Sequence, residues 1–386
     1  MSERLEVDVA IVGGGIAACA AALALRGRGF TVALLESKAC GGGASGVNFG
    51  GVRRQGRHLA ELPLAQRARP LWERLPELVG EDCEFRATGH LKLAYSDADM
   101  AELERHARDV SQFGLELELI GGNRLRAEHP WIGGGVVGAS LCAGDGQANP
   151  RLVGPAFARA AQRAGAEIRE FAPVRLAAWT GAGFEIEADG VAVSSRALVN
   201  AAGAWGDRVA RWFGEEVPLA PLMPNMLVTE PLPFFMDRSV GVCGGQVYVR
   251  QVERGNVVFG GGRGWGDADL DRSRPLADSS RAAMRRATEI VPALADALVI
   301  RSWTGIDGET PDDIPVIGRS RTTPNLLHAF GFSGHGFQLG PVIGEILAEM
   351  IADGHTQSPI APFAVDRFTG GAKAASMAAP RQGEIP

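Results

Sequence analysis

Two glycines and one glutamate carry the spacing that most directly implies chemistry: Gly13, Gly15 and, twenty-one residues beyond the second glycine, Glu36. Glycine at 13 permits a tight bend. Glycine at 15 leaves no side chain between backbone and a pyrophosphate, and Ala18 stands where a third glycine often lets a helix pack close to a strand. A carboxylate at the distance of Glu36 accepts hydrogen bonds from ribose hydroxyls and repels a 2′-phosphate. These residues bind a dinucleotide, and the motif alone leaves open whether it is FAD or NAD.

The elements that position them are legible around the motif. Residues 7–12 form a short apolar run rich in β-branched side chains that ends in glycines, the pattern of a buried parallel strand. A helix follows from Ile16 to about Arg26, aiming its N-terminal N–H groups and the positive end of its dipole at the phosphates. A second strand at 31–35 delivers Glu36. Residues 40–57, CGGGASGVNFGGVRRQGR, are too glycine-rich for regular structure, and a long loop inside a compact domain is usually functional. Residues 59–78 read as helix, HLKLAYS as a strand, and 97–113 as a solvated helix. In 144–170, Asn149 caps a helix, Pro150 fits its first turn and Gly165 ends it before another strand. Residues 196–214 give a buried strand, a small-residue turn at 201–206 and an amphipathic helix. Strands punctuated by glycine follow over 218–300, with a helix from Ser279 to about Ile290, and the last third returns to strand, glycine turn and helix. The fold class expected is α/β: a Rossmann-like dinucleotide domain (1–88, 142–215 and 301–365) and an antiparallel-sheet substrate domain (89–141 and 216–300). A loosely ordered tail is expected at 366–386.

Composition excludes several classes. The 386 residues carry 39 basic and 45 acidic side chains, a net charge of −6 with no basic tail, which argues against nucleic acid or an anionic membrane as partner. No apolar run reaches the length of a membrane span and the start, MSERLE, is not a signal peptide, so a soluble cytoplasmic protein is expected. Five scattered cysteines (19, 40, 83, 142 and 243) without CxxC spacing imply neither a disulfide framework nor zinc, and Cys19 reads as a small core residue. Seven histidines form no paired cluster, so no metal centre is expected. Lysine occurs only at 38, 92 and 373, which limits the choice of a buried cationic catalyst.

Four separated blocks resemble the FAD-dependent amino-acid and amine oxidoreductases typified by D-amino-acid oxidase, glycine oxidase and sarcosine oxidase. They are VDVAIVGGGIAACAAALALRGRGFTVALLE, GDGQANPRLVGPAFARAAQRAGAEI, ALVNAAGAWGDRVA and RSWTGIDGETPDDIPVIGRSRTTPNLLHAFGFSGHGFQLGPVIGEILAEMI, spanning 7–351. The resemblance implies non-covalent FAD, because the cysteine that attaches flavin in monomeric sarcosine oxidases aligns near Gly305. The final block makes physical sense as a flavin cradle. Gly331, Gly334 and Gly336 let backbone approach a flat ring edge, and a helix beginning near Pro341 would aim its positive end there. By the same resemblance Gly13, Gly15, Ile16, Ala17, Glu36, Ser37, Ser45, Gly46, Ala202, Gly203 and Trp205 contact the ADP and ribityl portions. Val174 lies at the adenine, and Gly305, Gly334, His335, Gly336, Phe337 and Gln338 at the flavin.

The resemblance further implies oxidation of a carbon–nitrogen bond by hydride transfer to flavin N5, giving an imine that hydrolyses. The substrate is a small amino acid or amine: a D-amino acid, a D-proline-like ring or an N-alkyl glycine. Sarcosine-oxidase-like members hold the substrate carboxylate with an arginine, which aligns with Arg53, and a lysine, whose position is taken by Gln338. The arginine of glycine-oxidase-like members is replaced here by Asp307, which cannot bind a carboxylate. Arg53 is therefore the expected anchor, helped by Tyr248 and Arg250 from the strand QVYVRQ, since an arginine fork matches a carboxylate. His335 is the flavin-facing histidine by family position. Trp303, His58 and His90 read as packing residues. The absence of lysine between 92 and 373 tilts the reading towards a dehydrogenase or a slow oxidase. Chains like this also serve as the flavin component of heteromeric enzymes, so both a second copy and a different partner chain are open. The alternatives are an FAD-dependent 2-hydroxy-acid or glycerol-phosphate dehydrogenase, with His335 as base, and a non-catalytic flavin subunit.

Overall fold

The computed structural model describes residues 3–368. Residues 369–386, most of the expected tail, lie outside the described residues; 366–368 belong to a short 3-10 turn, Val365–Phe368.

The strand Glu3–Val12 lies at the centre of the first sheet because its Val9, Ala10 and Ile11 are fully buried from both faces. It pairs in parallel with Val191–Asn200 on one side and Val32–Leu35 on the other. Leu326–Phe330 and Glu167–Arg169 extend the parallel order outward. Val316–Arg319 closes one edge antiparallel, and Val174–Trp179 with Phe184–Ala188 forms an antiparallel meander against Val191–Asn200. Helices Ile16–Gly27, Pro150–Arg163 and Gly336–Ala352 cover one face, while Gly206–Trp212 and the meander cover the other. Asn149 caps its helix, its Oδ1 accepting from Arg151 N at 3.1 Å.

The last helix begins at Gly336, a turn earlier than expected, so Pro341 lies inside it. An interior proline costs about 3 kcal/mol. Burying Leu339, Val342, Ile343, Ile346 and Leu347 stabilises the helix by about 2 kcal/mol each, which outweighs that cost. Gly340 and Gly344 let the helix press against Ile16–Gly27; a Cβ on Gly340 would lie 2.8 Å from Ile16 Cγ1. The two helix starts are thereby held within about a turn of each other.

The second sheet has eight strands, in the order Val299–Thr304, Pro224–Pro231, Asn256–Arg263, Tyr248–Gln251, Ser239–Val242, His90–Ala94, Gly138–Cys142 and Glu118–Gly121. It departs from the antiparallel expectation at one pair, Ser239–Val242 with His90–Ala94, which is parallel. These strands come from segments far apart in the chain, and a long connection permits the parallel direction that a hairpin forbids. One face packs on helices Ala277–Ile290 and Gly122–Glu128 through Leu91, Leu93, Val240, Val249 and Phe259. Residues one position away face the opposite side. In register they form a row of Trp303, Met226, Gly260, Tyr248, Gly241 and Lys92. Among the described residues no helix is long and apolar enough to cross a membrane.

Candidate active site

Gly13 has φ +102°, and a Cβ there would meet the carbonyl carbon of Ala201 at 2.8 Å, so the turn tolerates no side chain. Its neighbour in space is the turn after Asn200, where Ala201 N donates to Val12 O at 2.9 Å and Ala202 N to Asn200 Oδ1 at 3.3 Å. Ser45 and Gly46 lie in the short helix Ala44–Val47, a piece of regular structure inside the segment expected to have none. Ser45 Oγ accepts from Ile16 N at 3.0 Å, which sets that loop at the helix start; Gly46 packs on Gly41 O. The Glu36 carboxylate accepts from the N–H groups of Gly14 and, at 2.8 Å, Lys38, and from the Ser37 hydroxyl at 3.1 Å. Val174 packs at the edge of the core beside this strand end, near Ala172, whose N–H donates to Glu36 O at 2.8 Å. Trp205 turns outward, its Nε1 donating to Ala268 O at 2.9 Å.

At this same turn and at the glycine loop, neither Ile16–Gly27 nor Gly336–Ala352 is capped by the side chain of its own N-cap residue. The positive dipole ends of both helices therefore remain open to an anionic group, although the Ile16 N–H itself is taken by Ser45 Oγ. Gly334 is exposed at φ +82° with open space where a Cβ would stand. Val47 occupies the position of a Cβ at Gly305, and Trp303 Nε1 donates to Val47 O at 2.8 Å. Asp307 accepts from Gly308 N at 2.8 Å and Gly334 N at 2.9 Å, fixing the loop ahead of the helix; burial raises its pKa.

The side chains of Phe337 and Gln338 face away from this cleft. Phe337 packs on Trp72 with ring centroids 4.9 Å apart. Gln338 is fully buried, its Nε2 donating to Ala65 O at 3.0 Å on the helix Leu62–Glu73 and its Oε1 without a partner. Only their backbone N–H groups belong to the helix start.

The side-chain chemistry gathers on the loop at 48–61 and the open face of the second sheet. Tyr248 lies across Gly260 to Met226, its hydroxyl 3.3 Å from the Met226 sulfur, and meets Phe49 edge-on at 4.7 Å. Burial pushes its phenol up to about 12. The Arg250 guanidinium sits 5.4 Å over the same Phe49 ring and donates to Gln147 Oε1 at 3.4 Å, leaving its Nε unpaired. It faces a cavity of about 90 Å³ that Glu84, Arg86 and Gln147 also line. Arg53 is held by one bond, Nη1 to Gln55 O at 2.7 Å. Among the described residues, Arg53, Arg57 and Arg250 have no carboxylate at ion-pair distance, whereas Arg54 pairs with the fully buried Asp145 at 3.0 Å. Burial lowers the pKa of all three, Arg57 and Arg250 to about 10, so each stays a cation at neutral pH. A buried guanidinium with no counter-ion is a receptor for an anion.

His335 enters the cleft from the glycine loop, with its Nδ1 2.8 Å from Glu61 Oε2. Arg57 joins both groups, donating from Nη1 to His335 O at 3.0 Å and from Nε to Arg53 O at 3.1 Å. Glu61, Arg57 and Asp145 were not candidates from sequence. An acid inside LAELPLA, where every neighbour is apolar, was the available signal for Glu61. Of the residues expected to pack, His58 accepts from Ala60 N at 3.2 Å at a helix start. His90 is buried, 3.1 Å from Ser239 Oγ, and burial lowers its pKa to about 3. Cys19 is fully buried, as a core residue should be.

A sequence profile described as FAD dependent oxidoreductase, DAO, matches residues 8–350. The chain is 30% identical to one of the subunits of opine oxidase from Rhizobium meliloti over 94% of its own length and 98% of that protein. It is 28% identical to glycine oxidase of Geobacillus kaustophilus over 94% and 97%. The crystal structure of L-proline dehydrogenase from P. horikoshii superposes with a TM-score of 0.88 at 27% identity, covering 96% of this chain and 99% of that one.

Proposed function

The chain belongs to the DAO family of FAD-dependent oxidoreductases, and we propose that it oxidises the carbon–nitrogen bond of a small α-amino acid or secondary amine whose carboxylate is held by Arg53. The observation that carries this reading is the half-buried Arg53 guanidinium, which has one hydrogen bond, to Gln55 O, and no carboxylate at ion-pair distance among the described residues.

The residues present suit FAD. Two helix starts without a cap from their N-cap residues lie close together, and Gly334 and Gly203 leave open space where a side chain would stand. Gly13, Gly15, Ile16, Ala17, Ser45 and Gly46 would hold the pyrophosphate. Glu36 and Ser37 would take the ribose and Val174 the adenine. Ala202, Gly203 and Gly305 would flank the ribityl and ring, with the backbone of 334–338 at the ring edge. When bound, FAD supplies the acceptor for the hydride removed from the substrate's α-carbon. The chain itself does the rest. Arg53 would fix the carboxylate, Tyr248 and Phe49 would cover the substrate and exclude water, and His335 would stand at the reacting amine. Asp307 leaves no second carboxylate anchor on the glycine-loop side, so the substrate is oriented from the Arg53 side alone. Arg250, stacked on Phe49 and facing a separate cavity lined by Glu84, Arg86 and Gln147, supports the wall.

The test is anaerobic bleaching of the holoprotein's flavin absorbance by a panel of D-amino acids, cyclic imino acids, N-alkyl glycines and 2-hydroxy acids. Bleaching by an amine bears out the reading, and readmitted air separates oxidase from dehydrogenase. Bleaching by hydroxy acids alone overturns it. Two curated relatives are named as subunits, one of opine oxidase and one of sarcosine oxidase. Bleaching that appears only with a second chain would assign this protein the same kind of partnership.

A further inference from the structure

We propose that Glu61 is a positioning residue that holds His335 as the acceptor of the proton lost by the substrate's ammonium group. The inference rests on the amine-oxidation reading above. An amino acid reaches neutral water as an ammonium ion, and its nitrogen lone pair becomes available to assist hydride loss only after one N–H bond breaks.

The geometry decides which histidine nitrogen can take that proton. Glu61 is fully buried, and its Oε2 lies 2.8 Å from His335 Nδ1. Burial works against its charge, but the facing His335 and Arg57 outweigh it and keep the carboxyl below its ordinary pKa. An ionised carboxylate only accepts hydrogen bonds, so Nδ1 must carry a hydrogen. In the neutral ring the lone pair then sits on Nε2, which has no partner among the described residues and belongs to a side chain 18% exposed. Burial holds the ring's pKa below its ordinary value against the pull of Glu61, so the ring is neutral at pH 7 and able to accept. The charged groups around it are Glu61 on the helix start, Arg57 and Arg53 on the preceding loop, and Asp307, bonded to the neighbouring Gly334 N–H. Arg57 grips the His335 carbonyl and the Arg53 carbonyl together, which couples the base to the carboxylate anchor. In the step, a substrate N–H bond breaks and an Nε2–H bond forms. No electrons change hands, the imidazolium is balanced by Glu61, and the proton leaves to solvent. The arrangement is a carboxylate fixing an imidazole tautomer so that the far nitrogen is basic.

Two measurements test it. The first uses histidine-selective ¹⁵N labelling of the holoprotein, with the His335 signals assigned by their loss in His335→Asn. Expected is the Nδ1–H tautomer in the wild-type chain; an Nε2–H tautomer overturns the proposal and needs no variant at Glu61. The second is the limiting rate of anaerobic flavin reduction against pH, using whichever amine bleaches the wild-type protein. Glu61→Gln is expected to lower that rate about a hundredfold at neutral pH, with apparent substrate affinity within about threefold and the acid limb of the profile displaced. Glu61→Asp should restore part of the rate. An unchanged rate and profile in Glu61→Gln refutes the role of Glu61. If no amine reduces the wild-type flavin, the amine-oxidation reading fails instead, while the tautomer still tests the pair.

Discussion

At the nucleotide end of the cleft, Gly13, Gly15 and the starts of Ile16–Gly27 and Gly336–Ala352 present backbone N–H groups. At the substrate end, Arg53, Arg57, Tyr248 and His335 present side chains carried by loops and a strand. The first arrangement depends on what is missing: no Cβ at the turn and no cap from the N-cap residue of either helix. The second depends on charge held away from water, with three guanidiniums that have no carboxylate at ion-pair distance among the described residues and one carboxylate, Glu61, serving a histidine. A backbone site is constrained in sequence position, since one residue inserted in the turn destroys it. A side-chain site is constrained only in space, so its members lie in scattered segments and can be exchanged.

The contrast predicts separable failures. Gly13→Val should have the largest effect, because φ +102° and the approach of the Ala201 carbonyl leave no room for a side chain. Flavin content per purified chain should fall at least about tenfold, and a normally loaded variant would show that the turn is not a backbone site. Next is pH-dependent stability on the substrate face of the second sheet. His90 is held neutral down to about pH 3 in the folded chain, whereas the unfolded chain takes up a proton near pH 6.5. The unfolded state thus binds more protons between those values, and stability falls as pH falls. Lowering pH from 6.5 to 4.5 should reduce the wild-type Tm by about 3 °C through this group. The same scan on His90→Gln should lack that component, and an equal slope in both proteins would remove His90 as its source. The smallest effect is expected at Gln338, whose side chain points into the core with an unpaired Oε1. Gln338→Met should leave steady-state kcat and KM within about twofold and stability within about 1 kcal/mol of wild type. A large rise in KM would return this side chain to the substrate site.

The same physics explains what the sequence disclosed. The strand, turn, helix and acid of the dinucleotide unit follow from β-branched burial, glycine at positive φ and a fixed helix length, and each appears in the fold where its spacing puts it. The Asn149 cap and the Gly165 stop were local signals of the same kind. The start of the last helix was misplaced by a turn, because proline usually marks a first turn and here the burial of an apolar face overrides it. The parallel pair between Ser239–Val242 and His90–Ala94 had no local signature, since strand direction is set by distant packing. Glu61 was hidden for the same reason. Nothing near it in sequence announces that a histidine 274 residues away will share its burial.

Whether Arg53 anchors the substrate is decided by stopped-flow anaerobic reduction of Arg53→Ala beside wild type, with flavin occupancy recorded on the same samples. Expected are equal occupancy, a limiting reduction rate within a few-fold, and an apparent Kd for the amine substrate raised about a hundredfold, the ratio for losing roughly 2.7 kcal/mol of charge-assisted hydrogen bonding. An unchanged Kd would place the carboxylate elsewhere, and loss of flavin would show that the two ends of the cleft are not separate devices.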